Sequence, residues 1–195
     1  MLKNIIHKFL LIAALAFSFN SFVYAGDFCV EDQPQVLEQV LQITPKGTLK
    51  QKDNGYLYVE VAGDFIAQAL ALIDAPGKLV PPRHYTSKKG IGAHISVMYE
   101  NEQIENEIWE IAELGQEYTF NVIELRTVKI NSNNKMKKLW LIAVSCPALE
   151  QLREKYGLKP LLKGHDFHIT VCSQIPGKPE VIEIPMAIEE LEEAA

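Results

Sequence analysis

Apolar and polar positions alternate along this chain in short runs, and the period of each run predicts its element. QVLEQVLQ at 35–42 reads as a short helix, and GYLYVEV at 55–61, alternating and rich in aromatic and branched residues, as a strand. FIAQALALID at 65–74 reads as a buried helix with Asp64 as its N-cap. The prolines and glycines of APGKLVPPRHYTSKKG predict an irregular loop over 75–90. IGAHISVMY at 91–99 predicts a strand, and NEQIENEIWEIAEL at 101–114 a helix with Ile104, Ile108 and Ile111 on one face. Strands come next at 117–125, 127–130 and 138–145, with a turn at 131–135. PALEQLREKYG at 147–157 opens on proline and closes on glycine, the punctuation of a helix. HDFHITV at 165–171 is a strand, 175–180 a turn, VIEIPM at 181–186 a last strand, and the acidic end at 187–195 a solvated tail.

Each half of this series runs strand, helix, then a strand carrying histidine and a hydroxyl two residues apart. That rhythm predicts an α+β fold built by duplication. Residues i and i+2 of a strand share a face. His94 therefore stands beside Ser96, and His168 beside Thr170, while Ile95, Val97, Ile169 and Val171 point into a core. If the two strands are neighbours, two imidazoles and two hydroxyls converge on one cleft.

Such a set suits phosphodiester chemistry. An unperturbed imidazole titrates near pH 6.5, so one ring can be neutral and take a proton from water while the other is protonated and gives one to the leaving oxygen. The hydroxyls of Ser96 and Thr170 can donate to phosphate oxygens, and this chemistry calls for neither metal nor cofactor. A zinc site from His94, His165 and His168 is the alternative, although no acidic or cysteine ligand accompanies them at a recognisable spacing. His165, three residues before His168, is expected on the opposite side of the strand, as a loop or supporting residue. By parity Tyr99 points away from the cleft, Cys172 shares the face of His168, and Trp109 and Trp140 belong to the core. Arg83, His84, Lys88 and Lys89 form a basic cluster before the first motif, either steering an anionic substrate or forming a solvated surface loop.

The paired tetrapeptides His94-Ile95-Ser96-Val97 and His168-Ile169-Thr170-Val171, 74 residues apart, resemble the tandem signature of the two-histidine phosphoesterase superfamily. That group includes the LigT-like and RNA-repair-type cyclic phosphodiesterases. The resemblance, over roughly 55–186, implies a bilobal fold of pseudo-two-fold, duplicated antiparallel sheets with flanking helices around a central groove. It also implies metal-independent hydrolysis of 2′,3′-cyclic phosphates or related phosphodiesters, with His94 and His168 as acid and base and Ser96 and Thr170 holding the phosphate.

Charge and the N-terminus narrow the partners. Lys3 and Lys8, an apolar run of 11 at 9–19 and the small-residue end VYA at 23–25 have the layout of a secretory signal peptide over 1–25, with an uncleaved N-terminal anchor as the alternative. The run is short against the roughly 17–25 residues of a spanning helix, so no stable membrane insertion is expected after cleavage. Residues 26–186 then form one domain in the periplasm or outside the cell. Net charge is −6, and −8 once the two leader lysines are removed (17 basic against 25 acidic residues), which disfavours long nucleic acid. The expected partner is a small phosphorylated substrate or a short RNA end. A non-catalytic phosphate- or nucleotide-binding protein with the same groove is the alternative. Cys29, Cys146 and Cys172 allow either one disulfide plus one thiol or three buried thiols.

Overall fold

The computed structural model describes residues 28–132 and 135–177. The proposed leader, the 181–186 strand and the acidic tail lie outside the described residues. Among the described residues nine strands form one sheet: β1 (Cys29–Val30), β2 (Lys46–Gln51), β3 (Leu57–Val61), β4 (Lys78–Val80), β5 (His94–Met98), β6 (Glu117–Thr119), β7 (Asn121–Ser132), β8 (Lys135–Ser145) and β9 (Phe167–Ile175). Among the described residues five α-helices accompany them: α1 (Pro34–Val40), α2 (Asp64–Leu72), α3 (Arg83–Thr86), α4 (Glu100–Glu105) and α5 (Pro147–Lys155). This is an α+β fold with a large antiparallel sheet and few helices.

The strand order is β1-β7-β8-β9-β5-β3-β2-β6, with β4 on β9, and every pairing is antiparallel. The order mirrors itself about the β5–β9 junction. On one side lie β5, β3 and β2; on the other, β9, β8 and β7. Each side is a hairpin, a connection containing a helix (α2 or α5), and a returning histidine strand. The two halves meet where Ile95 pairs with Ile169. α2 packs on β9 and α5 on β5, so each half's helix touches the other half's histidine strand.

The duplication is visible at single residues. His94–Met98 and His168–Cys172 share one pattern: partly exposed, buried, partly exposed, buried, buried. The final pair of buried residues breaks alternation, and the register gives the cause. Ser96 pairs with Tyr58 and Met98 with the adjacent Leu57, so the β5 strand carries one extra residue, Val97. Thr170 pairs with Leu141 and Cys172 with the adjacent Trp140, so Val171 is the extra residue of β9. Each motif thus ends in a β-bulge at its fourth position, a device that re-aims the side chains beyond it.

Behind the histidine strands, Ile95, Val97, Ile169 and Val171 are all fully buried against Phe65 and Ile66 of α2 and Leu149 and Leu152 of α5. Burying one such side chain stabilises by about 1.5–3 kcal/mol.

Several elements differ from their sequence expectation. Lys46–Gln51 is a strand that periodicity does not signal, because Lys, Gly and Gln interrupt it; it is stabilised by pairing with β3 and β6. The 75–90 segment is not all loop. β9 runs on to Ile175, beyond its expected end, and Ser173–Ile175 recruits Lys78–Val80 as β4. Asp64 is the first residue of α2, after Gly63 at the cap position, and no side chain caps that helix. The 101–114 helix stops at Glu105, and Glu107 takes a left-handed φ of 55°. Ile108 and Ile111 are buried from irregular backbone, whereas Ile104 and Trp109 are 62% and 73% exposed, so neither joins the core. Trp140 is buried as expected, with its Nε1–H donated to Gln174 Oε1 at 3.0 Å. Cys146 and Cys172 are buried free thiols and are not bonded to each other.

Candidate active site

The β5–β9 register builds the site. With Ile95 opposite Ile169, antiparallel geometry sets His94 across from Thr170 and Ser96 across from His168. All four occupy the face opposite the buried isoleucines, and each imidazole stands opposite the other motif's hydroxyl. In such a block the two histidines are diagonal neighbours, roughly 7–8 Å apart at the backbone in an ordinary antiparallel pair. Ser96 and His168 line one cavity together with Tyr99, Lys163 and His165. The charge of His94 also bears on His168. The structure therefore brings both motifs into one place.

Both imidazoles are held in the same way. His94 Nδ1–H donates to the carbonyl of Gly92 at 3.0 Å, and His168 Nδ1–H to that of Asp166 at 3.3 Å. A carbonyl only accepts, so the proton sits on Nδ1 and Nε2 is left to take or give a proton. Burial pushes both rings below the ordinary 6.5, most of all by desolvating the charged form; the backbone carbonyls pull the other way.

Around His94 the rings close in. Tyr56 and Tyr58 meet it edge-on, with centroids at 6.0 and 5.7 Å, and His84 at 4.4 Å. Tyr56 in turn stacks between Tyr58 and Tyr99, at 5.8 and 5.9 Å. The Tyr56 phenol and the Ser96 hydroxyl lie 2.6 Å apart. Of the basic cluster, only His84 is brought to the motif. Burial, then the neighbouring His94 and Lys52, push its pKa down to about 4, so at neutral pH it is an uncharged ring. Arg83, Lys88 and Lys89 are exposed on the same segment. That segment is locked by a close backbone approach: Gly92 N–H donates to His84 C=O at 3.0 Å, and a Cβ on Gly90 would lie 2.0 Å from that oxygen.

Three cations that sequence patterns do not single out surround the site. Lys52 lies over the Tyr56 ring at 5.4 Å and its charge bears on His94. Lys163 lies over Tyr99 at 4.6 Å. Arg126 acts on His168 and is held by Glu124 at 2.6 Å and Asp166 at 2.8 Å. The paired register, Glu124–Ala143–His168 and Arg126–Leu141–Thr170, places Arg126 on the histidine face two strands away. Arg126 is thus offset by two carboxylates, one of which, Asp166, lines the same cavity, while Lys52 and Lys163 are the cations set over the tyrosine rings beside the motifs.

Parity misplaces two residues next to the motifs. The Val97 bulge turns Tyr99 to the cavity, and the Val171 bulge turns Cys172 into the core, fully buried, with its thiol pushed up to about 12. His165 precedes β9, in loop conformation, and lies beside His168 in the cavity with its ring against Phe28 at 5.0 Å. Among the described residues no group of three or more His, Cys, Asp or Glu side chains is placed to hold a metal ion.

Lys163 has a left-handed φ of 54°, unusual for a residue with a Cβ. Left-handed backbone costs such residues roughly 1–2 kcal/mol, more than the entropy glycine loses on folding. Lys163→Gly is therefore expected to be more stable than Lys163→Ala by about 1 kcal/mol in urea unfolding, reversing the usual order. Equal midpoints would show that the turn carries no strain.

A family model described as 2H-SAK, the Swiss Army Knife 2H phosphoesterase domain, matches residues 57–176, which contain both histidine strands and the bulges that end them. No curated protein and no solved structure gives a significant match. With more than half of the chain covered, and two equivalent His-x-hydroxyl strands meeting on one face, this chain belongs to the 2H phosphoesterases and carries a domain for phosphoester hydrolysis.

Proposed function

We propose that the protein is an exported, metal-independent phosphodiesterase that opens 2′,3′-cyclic phosphates of nucleotides or short RNA ends. The observation that carries this reading is the exchange-symmetric block in which each imidazole faces the other motif's hydroxyl, with both Nδ1 atoms tied to backbone. In this reading one neutral imidazole takes a proton from water through Nε2, and the water oxygen attacks phosphorus. The other, protonated, gives its Nε2 proton to the departing ribose oxygen as the P–O bond breaks. Ser96 and Thr170 donate to the non-bridging oxygens, and Lys52 and Lys163 offset the charge that builds there. Arg83, Lys88 and Lys89 supply a wider attractive field for a small phosphorylated substrate. Export rests on the signal-like layout of residues 1–25.

Turnover of 2′,3′-cyclic AMP in the presence of EDTA tests the reading. Hydrolysis that persists with chelator supports it. Loss of activity restored by a divalent ion would favour a metal-dependent hydrolase, and a wild type inert toward cyclic nucleotides and cyclic RNA ends would favour the non-catalytic phosphate binder.

The pH dependence is also specified. Catalysis needs one ring neutral and one protonated, a population that is largest between the two macroscopic pKa values of the pair. Both rings are pushed below 6.5 in the free protein, so the maximum of kcat/KM is expected below pH 6.5. A bound anionic phosphate favours the imidazolium and raises both values, so the kcat maximum should lie at higher pH than that of kcat/KM. Coincident maxima above pH 7 would contradict the assignment.

A further inference from the structure

The internal symmetry breaks beside Ser96. Tyr58 stands opposite Ser96, and its equivalent Leu141 stands opposite Thr170. Two residues before Tyr58 is Tyr56, just ahead of β3, and two residues before Leu141 is Leu139, on β8. The first offers a phenol 2.6 Å from the Ser96 hydroxyl, whereas the second offers only hydrocarbon at the matching place. The phenol is also firmly mounted. Tyr56 closes the β2–β3 turn, where its carbonyl accepts from Lys52 N–H at 3.0 Å and Gly55 adopts a φ of 95°. The Gly55 carbonyl is gripped by the side-chain amides of Gln51 and Gln103, and Gln103 is itself buried. Above the turn, the Tyr56 ring is stacked on two tyrosines and edge-on to His94.

Two hydroxyls in contact can be ordered in either sense, and only one sense leaves the Ser96 hydrogen for an anion; the other leaves the Tyr56 hydrogen instead. When Tyr56 donates to Ser96 Oγ, the Ser96 hydrogen is left for a phosphate oxygen, and the chained bonds strengthen one another. When Ser96 donates to Tyr56, its hydrogen is spent. From this geometry we infer that Tyr56 is a positioning residue: its O–H aims the Ser96 hydroxyl at the phosphate and its ring braces His94. The inference rests on the reading of Ser96 as a phosphate donor. It makes the two hydroxyls unequal, Ser96 preset by a neighbour and Thr170 set by its own strand rotamer.

A double-mutant cycle of Tyr56→Phe with Ser96→Ala tests this, because phenylalanine keeps the stacked ring and removes only the hydroxyl. Two readouts are taken: kcat and KM on 2′,3′-cyclic AMP, and the affinity for inorganic phosphate by titration calorimetry. Tyr56→Phe is expected to lower kcat/KM about tenfold, mainly through kcat, and to weaken phosphate about fivefold, the scale of one hydrogen bond between neutral groups. In the Ser96→Ala background it should change neither further, whereas with Thr170→Ala the losses should multiply. Multiplying losses with Ser96→Ala, or a Tyr56→Phe protein equal to wild type, would overturn the inference. Absent turnover with a coupled phosphate cycle would refute the cyclic phosphodiesterase and leave the Tyr56 role standing. Turnover with an uncoupled cycle would do the reverse, and a wild type that neither turns over the cyclic nucleotide nor binds phosphate would overturn both.

Discussion

His94→Ala and His168→Ala are each expected to lower kcat on 2′,3′-cyclic AMP by about 10²–10⁴-fold, the usual contribution of one positioned proton transfer. Neither should unfold the protein. Both rings lie on the face opposite Ile95 and Ile169, which are fully buried and do the packing. Far-UV circular dichroism and the urea midpoint should therefore stay close to wild type. The double variant should be little worse than the poorer single one, because acid and base act in one transition state. A substrate with a good leaving group separates the two roles. A p-nitrophenyl phosphodiester departs without a proton, so loss of the acid should hurt it far less than loss of the base. The histidine whose removal spares this substrate but not the cyclic nucleotide is the acid. Full activity in either folded variant on the cyclic substrate would remove that residue from the mechanism.

The origin of this geometry shows which parts of the site a sequence can carry. A strand with His, Ile, Ser and Val in succession declares its two faces locally, and a second such strand makes a meeting on one cleft a natural expectation. The alternation of Ile95 with His94 and Ser96 needs no knowledge of the partner strand. The bulges do. Val97 and Val171 are extra residues only relative to Tyr58–Leu57 and Leu141–Trp140, on strands that are distant in sequence. Parity counted along β5 or β9 therefore fails one residue beyond the motif. That is why Tyr99 lines the cavity and Cys172 does not. The same dependence on partners hides the cations. Arg126 reaches the histidine face by crossing β8, and Lys163 by a left-handed turn before β9. His84 shows the opposite lesson: its neighbours in sequence are basic, yet it packs against the His94 ring, and burial first, with the neighbouring His94 and Lys52 adding to it, leaves it uncharged.

Substituting Arg153 is expected to cost about 3–5 kcal/mol of stability in either of two variants, Arg153→Ala or Arg153→Met, because both leave its polar partners unmet. Arg153, on α5, is 1% exposed, among the most buried charges of the described chain. Its Nε–H donates to the carbonyl of Lys159 at 2.8 Å, Nη2 reaches Glu102 Oε1 at 2.7 Å, and Nη1 donates to the carbonyl of Val97. Glu102 in turn accepts the backbone N–H of Tyr99 at 3.0 Å. The guanidinium thus ties the first motif's bulge to the start of α4 and to the second half's helix. With the arginine gone, the Glu102 carboxylate and the Val97 carbonyl lose a buried donor. Methionine fills much of the volume, so a comparable loss in both variants would point to the unpaired polar groups, and rescue by methionine to a mere cavity. Arg153→Met, Glu102→Leu should recover part of the loss by removing the orphaned charge, since an apolar replacement of a whole buried pair is often near neutral. Activity gives the second readout. Because Val97 C=O is one of the groups held, the folded fraction of Arg153→Met should show a lower kcat than wild type, as the bulge that aims Tyr99 and ends the His94–Ser96 strand loses its anchor. Wild-type stability in Arg153→Ala would show that this buried charge contributes nothing net to the fold.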